Sequence, residues 1–513
     1  MSNSTLSINI GIDWGTSFSK ICVQANDTEQ SEIVVFKDLS LDGTFLLSKI
    51  GILSNGRLLA GLTKPEWDKC KSPNMFEVNF LKMRLANIDL PQQNHLFEFS
   101  PLPQYKGDNL NLPKNLENLG AYYLAQVIKK VKNWFCQKYP QRIKNRELEW
   151  SANVGVPVQY CNSPSLTCFE RVLRIAWLLT EELDLDSLTF SDLKAVTQTL
   201  TSKIDDQIPC FAVPEVAAGT YFYATSRERK EGQFLYVDIG SGTTEFCSFH
   251  LGIEGGLPNI SAIKAYTPPI GIDAIAYGIA SESKIPFEKV QNLLNGDYED
   301  LADQISALIK TFDIQPKQKE FIASADQAIL QNYELSYVPS RYITQKAIDQ
   351  EKIKISSNNT RMLLELMLWE RAIHLVTALI SKNTNGEILL GGGGCDSKFY
   401  RYAIESTYTA FKQYRSNDYC PLKFKDVTLK ESPENFKMNG IKPKYSHRFT
   451  IAFGLSIPNY EMPDFQLPKL QDSLNLKPTS SEYKKGIEGI LADLYFSGKN
   501  KENLSVTGDW RDT

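Results

Sequence analysis

The chain has 513 residues, 42% of them hydrophobic, and a formal net charge of −4, a length that suits roughly three compact units of about 150 residues. The acidic balance argues against nucleic-acid binding, which usually goes with a basic composition. Nine scattered cysteines without a CxxC pair read as reduced thiols, four histidines far apart give no zinc signature, and neither a signal peptide nor an apolar run of ~20 residues is present, so the expectation is a cytoplasmic protein without a membrane span.

In chain order, Ser7 to Asp13 alternates Ile8, Ile10 and Ile12 and reads as a strand. "SKICVQA" then returns antiparallel after a glycine turn, and "KIGILSNGRLLAG" reads as a hairpin around Asn55-Gly56. Leu90 to Leu116, rich in Pro, Asn and Gln, is expected to be an irregular connection. Leu124, Val127, Ile128, Val131 and Phe135 fall at helical spacing. The basic run Lys129 to Arg146 reads as a solvated helix face and the loop after it, or as a site for an acidic partner.

"EWSANVGVPV" reads as a strand ending at Pro157, "SLTCFERVLRIAWLL" as a helix with one buried face, and "VPEVAAGTYFYATS" as a loop entering a small-residue helix. Leu235 to Phe246 is a strand that turns at Gly240. Ile279 to Ser357 is polar with helical segments and reads as an insertion. Thr360 to Ser381 gives the longest helical pattern, and "EILLGGGGCDSKFYRYAIE" gives strand, glycine turn and helix. "RFTIAFGLSIP" closes the globular part at Pro458. The remainder reads as a tail with one short helix near Gly486 to Phe496. Each half thus offers a strand with Asp at its end and a small-residue turn, a duplication in outline.

Both turns have the form Asp-x-Gly-[Thr/Ser]-x-[Ser/Thr], at Asp13 and Asp238. Glycine lets backbone approach a ligand closely, and successive amides in such turns bind anions. Thr16, Ser17, Thr243 and Thr244 add hydroxyl donors. Asp13 and Asp238 would repel phosphate directly. They make sense if a hard cation such as Mg²⁺, which carboxylates hold directly or through water, lies between. No GxxxxGK[ST] and no GxGxxG after a strand is present, so neither a P-loop nor a Rossmann site is supported.

"GIDWGTSFSK", "VDIGSGTTEF" and "ILLGGGGCDSKFYRYAIE" resemble, in this order, the two phosphate motifs and the adenosine motif of the actin-like ATPases. The resemblance spans roughly Ile8 to Pro458 and lies nearest the ATPase domain of the 70-kDa heat-shock chaperones. It implies an α/β fold of two lobes, each a ribonuclease-H-like domain with an inserted subdomain. Lobe I would cover 1–230 (insert about 39–117), lobe II 231–457 (insert about 272–359), and a tail 458–513.

The resemblance also implies roles. Asp13 and Asp238 would position Mg²⁺. Gly15, Thr16, Ser17, Gly240, Ser241, Gly242, Thr243 and Thr244 would contact the phosphates of ATP or ADP. "NFLKMRLAN" is similar to the stretch that carries the family's catalytic lysine, so Lys82 would approach the γ-phosphate. Glu215 would orient the attacking water or a cation. Gly271, in "PIGIDAIAYGIA", would shape the site, and Gly392, Gly393, Gly394 and Ser397 would lie against the adenosine. Catalysis by Lys82, Glu215, Asp238 and Thr243 would need little beyond positioning and charge neutralisation.

Three features depart from the chaperone pattern. Thr244-Glu245 stands where chaperones usually place Phe-Asp and is closer to rod-shape actin homologues. His447-Arg448 stands where they usually carry Asp or Glu. "EKIKISSNN" from Glu351 is a poor match for the adenine-stacking segment. The segment after Pro458 is also too short for a β-sandwich and lid that hold client peptides. The expectation is therefore a slowly hydrolysing Mg-ATP switch that acts through an unidentified protein partner and holds no clients itself, with no nucleic acid or membrane as partner and the oligomeric state open. The alternatives are a filament-forming actin homologue and a sugar-kinase-type phosphotransferase.

Overall fold

The computed structural model describes residues 4–28, 30–86, 102, 104–227, 229–296, 358–381, 387–411, 424–426 and 435–468. The expected adenine segment at Glu351, most of the insertion after Asn295 and the short helix near Gly486 lie outside these residues.

The fold is mixed α/β and rests on two sheets with the same connectivity. In the first, β1 (Ser4–Trp14), β2 (Phe18–Ala25) and β3 (Gln30–Ile33) form an antiparallel meander, and β4 (Phe45–Leu47) pairs antiparallel with β2. β8 (Arg146–Val156) then pairs parallel with β1, and β9 (Cys210–Pro214) parallel with β8. In the second, β10 (Gly232–Ile239), β11 (Thr244–Glu254) and β12 (Leu257–Tyr266) repeat the antiparallel meander. β13 (Ile388–Gly391) and β14 (Phe424–Asp426) continue it in parallel from β10. The duplication read in outline from the sequence is therefore present in strand order and direction. The reason is visible in each unit: a tight glycine turn permits an antiparallel return, whereas a parallel neighbour needs a long crossover.

The crossover to β8 runs through the helix Pro113–Lys138, whose buried face packs on the helix Pro164–Glu182. This helix starts earlier than its apolar spacing predicts. Pro113 to Leu116, expected in the irregular connection, form its first turn, because Pro at the first helical positions costs no hydrogen bond there. A small third sheet joins β5 (Ile50–Ile52), β6 (Leu58–Leu59) and β7 (Phe76–Val78). β5 and β6 form the hairpin expected at Asn55-Gly56, with Gly56 at φ +92°.

The short helix Thr450–Ser456 ties the molecule together. Gly11 of β1 and Gly454 of the helix leave no room for a side chain. A Cβ on Gly11 would lie 2.3 Å from the Ser456 amide nitrogen, and one on Gly454 2.1 Å from the Ala218 carbonyl. Asn153 donates its side-chain N–H to the Leu455 carbonyl at 2.8 Å, and Asn9 to that of Ile457 at 3.0 Å. These amides satisfy carbonyls that the end of a helix leaves without partners.

The expected solvated or acidic-partner face at Lys129 to Arg146 is largely engaged by the protein's own acids. Lys129 meets Asp186 at 2.9 Å, Lys130 meets Glu66 at 2.7 Å, Lys138 meets Glu32 at 2.7 Å, and Arg142 and Arg146 share Asp27. Among the described residues no helix is long and apolar enough to cross a membrane.

The fold also continues past Pro458. β16 (Asp464–Gln466) pairs parallel with β12, Phe465 packs against the core of the second sheet, and Asn162 donates to the Pro468 carbonyl at 3.1 Å. Three residues are too few to show strand alternation, so the sequence places the end of the globular part too early. A chain ending at Pro468 should exceed one ending at Pro458 in stability by about 1–2 kcal/mol, from the apolar surface of Phe465 and the edge pairing; denaturant unfolding measures the difference, and equal midpoints would remove β16 from the stabilising structure.

Candidate functional site

Asp13 lies near the end of β1 and Asp238 near the end of β10, at matching places in the two sheets. The strand following each turn brings a charged residue directly opposite: Lys20 pairs in register with Asp13, and Glu245 with Asp238. The two aspartates therefore meet different environments. Lys20 Nζ lies 2.5 Å from Asp13 Oδ2. Burial alone would lower the Lys20 pKa, but the Asp13 carboxylate overcomes it and raises the value. Asp238 Oδ1 is buried and has no hydrogen-bond partner among the described residues. Burial first, and then Glu215 and Asp13, push the Asp238 carboxyl up to about 7.

Lys82 and Glu215, 133 residues apart, form a direct buried ion pair, with side chains 9% and 7% exposed. Lys82 stands in the short helix Leu81–Ala86, and Glu215 opens the helix Glu215–Thr225 straight after β9. Gly155 on the neighbouring strand makes room, since a Cβ there would meet Glu215 Cγ at 2.9 Å. Burial raises the Glu215 pKa against the opposing pull of Lys82, and Asp13 adds to the rise. Glu245 completes the group. It accepts the Val158 N–H at 2.6 Å through Oε1, while Oε2 is buried without a hydrogen-bond partner among the described residues. Burial and Glu215 hold its pKa well above the carboxylate range.

Asp13, Glu215, Asp238 and Glu245 thus share one low-dielectric pocket with Lys20 and Lys82. Carboxylates outnumber ammonium groups in it, and two buried oxygens, Asp238 Oδ1 and Glu245 Oε2, lack hydrogen bonds among the described residues. No three of these carboxylates bring ligand oxygens within 4.8 Å of one another, so a hard divalent cation here would complete its shell with water, as Mg²⁺ usually does, and would lower the cost of ionising the neighbouring acids.

The glycine turns converge on the same place. A Cβ on Gly242 would lie 2.6 Å from Thr16 Cγ2 and 2.4 Å from Met83 Sδ, so the turn after β10 touches both the turn after β1 and the helix that carries Lys82. Gly15 donates its N–H to the Asp13 carbonyl at 3.0 Å, and Gly240 donates to that of Thr243 at 3.0 Å. Gly271 closes over Ser241, whose carbonyl would be 2.3 Å from its Cβ. In the turn after β13, Gly392 has φ +81° and passes within reach of Asp238, because its Cβ would stand 2.7 Å from Oδ1. Gly394 donates to the Ile239 carbonyl at 2.8 Å. Around Gly393 there is open space among the described residues, with none of their atoms within 4 Å of a built Cβ.

The hydroxyls divide. Thr16 is buried at the convergence and Thr243 is half-buried on its turn. Thr244 donates to the Ile270 carbonyl at 2.9 Å, and Ser397 to that of Leu294 at 2.6 Å, so both hydroxyls are committed inside the protein. Ser17 and Ser241 meet at 2.5 Å and both donate to Asp273 Oδ2, at 3.0 and 2.5 Å. Asp273 therefore ties the two phosphate-type turns together. Lys20, Glu245 and Asp273 are not among the sequence-predicted site residues. The first had a usable signal, since a tight antiparallel return from Asp13 puts Lys20 opposite it. Glu245 stood inside a recognised motif. Asp273 had no signal beyond its place after Gly271.

No protein-family model matches the chain, and no curated protein gives a significant match to it.

Proposed function

We propose that this chain is an actin-like, two-lobed ATPase, related in design to the 70-kDa heat-shock ATPase domain, that binds Mg-ATP, hydrolyses it slowly and signals its nucleotide state to a protein partner in the cytoplasm. The observation that carries this reading is the convergence of two topologically equivalent Asp-glycine turns on the buried Lys82–Glu215 pair. Asp13 and Asp238 would hold Mg²⁺, which supplies positive charge to the phosphates when bound. The amides of Thr16, Ser241 and Gly242 would cradle phosphate oxygens, while those of Gly15 and Gly240 hold the turns in shape through the Asp13 and Thr243 carbonyls. Lys82 would neutralise charge developing on the transferred group, and Glu215 would orient water. The open space at Gly393 is where a nucleoside could lie against backbone. Ser17 and Ser241 would exchange Asp273 for phosphate.

A ligand bound by the native state alone stabilises it by mass action, by about 2.7 kcal/mol at a hundredfold excess over Kd. Thermal unfolding with Mg-ATP, with ATP plus chelator and with Mg²⁺ alone tests the reading. The largest rise is expected with Mg-ATP, and a melting temperature indifferent to millimolar Mg-ATP would overturn it.

A further inference from the structure

A second cluster of ligand-type side chains is formed by Cys395, Asp396 and His447. Cys395 and Asp396 follow the glycine turn after β13, and His447 stands just before the helix Thr450–Ser456. Cys395 Sγ, a carboxylate oxygen of Asp396 and a ring nitrogen of His447 all lie within 4.8 Å of one another. Cys395 is 1% exposed and His447 2%, while the Asp396 side chain is 58% exposed. His447 Nε2 pairs with Asp396 Oδ2 at 3.1 Å, Arg448 Nη2 lies 3.9 Å from the same oxygen, and Nδ1 of this buried imidazole makes no hydrogen bond among the described residues.

A buried polar nitrogen without a partner is costly and calls for an explanation. An ion pair with Asp396 serves Nε2 and leaves Nδ1 without a partner among the described residues. A cation shared by all three groups would draw on ligand atoms that already stand within 4.8 Å of one another. Thiolate, imidazole and carboxylate are the ligand types of zinc rather than of magnesium or calcium. Tetrahedral coordination with bonds of ~2.0–2.3 Å puts ligand atoms about 3.5 Å apart, so side-chain adjustments of the order of 1 Å close the site. Exposure of Asp396 gives an ion its entry from solvent, and leaves the fourth position to water.

We propose that Cys395, Asp396 and His447 form a three-ligand site for a zinc-type divalent ion. On binding, Cys395 loses its proton to solvent and ligates as thiolate. The ion would clip the turn after β13, which contains the open space at Gly393, to the segment that leads into the Thr450–Ser456 helix. The proposal does not depend on ATP binding.

The test uses Co²⁺ as a spectroscopic substitute for zinc, on the full chain with the exposed Cys70 replaced by Ser. One Co²⁺ per chain is expected, with a thiolate-to-cobalt charge-transfer band. Zn²⁺ should displace it. Cys395→Ser should abolish the band, and Asp396→Asn and His447→Gln should each weaken binding on the order of 10- to 100-fold. Asp396 is exposed, so its variant tests the site even if Cys395→Ser fails to fold. Absence of the band from the parent protein, or Co²⁺ affinity unchanged in both Asp396→Asn and His447→Gln, overturns the proposal.

Discussion

Replacing Asp238 by Asn should stabilise the ligand-free protein at pH 8 and remove most of the stabilisation given by Mg-ATP. The two effects oppose each other because one carboxylate serves the ligand at the expense of the fold. Burial and the neighbours Glu215 and Asp13 raise the Asp238 pKa from 3.8 to about 7. Between those values the folded state holds a proton that the unfolded state has released. The stabilising contribution of that proton is complete below about pH 4 and is lost as pH rises through about 7. At pH 8 the wild type carries a buried charge that Asn does not. A shift of about three units corresponds to about 4 kcal/mol, and the partial exposure of Asp238 reduces the expected gain to on the order of 2 kcal/mol. Near pH 4 the two proteins should be close in stability. Denaturant unfolding at pH 4, 6 and 8, with and without Mg-ATP, checks both halves. An Asn variant that keeps the full Mg-ATP gain removes Asp238 from the ligand site, and a variant no more stable than wild type at pH 8 refutes the buried charge.

Lys82→Met and Glu215→Gln should each lower ATP turnover about 100-fold while leaving ATP affinity nearly unchanged, because their proposed contacts act on the transferring phosphoryl group and its water. Each single change also breaks a buried ion pair. Removing Lys82 strands the Glu215 carboxylate, whose pKa burial already raises, and such a loss costs about 3–5 kcal/mol. The double variant separates the two roles. With both charges gone it should recover most of the lost stability, since an apolar or neutral replacement of a buried pair is often close to neutral. It should not recover turnover. Restored turnover in the double variant would make the pair structural only, and wild-type turnover in either single variant would take that residue out of the catalytic assignment.

The sequence by itself determined what local sterics and periodicity encode. Ile8, Ile10 and Ile12 in alternation before Asp13 specify β1, and the Asn55-Gly56 dipeptide specifies a hairpin because Gly56 must take φ +92°. The strand, glycine turn and helix from Glu387 are equally legible, since an apolar run, a positive-φ glycine at Gly392 and a helical pattern follow one another within a few residues. The order of strands in the two sheets was readable only as an outline, and the structure supplies its directions.

What only the tertiary structure decided depends on groups far apart in sequence. Nothing near Lys82 indicates that its partner is Glu215, because the pairing is made when the small helix after β7 packs on the helices Pro113–Lys138 and Pro164–Glu182. The same holds for Asp273 joining Ser17 to Ser241, and for His447 beside Cys395 and Asp396, where sequence spacing gave no metal signature. β15 (Phe436–Lys437), which pairs with β3, and β16, which pairs with β12, are too short to carry a period of two. They form because each sheet presents an edge with unpaired backbone groups, and that template exists only once the sheet has folded. The unequal chemistry of Asp13 and Asp238 is local in one part: register across each turn sets Lys20 opposite one and Glu245 opposite the other, but the burial of Asp238 and the approach of Glu215 and Asp13 to it exist only in the packed fold.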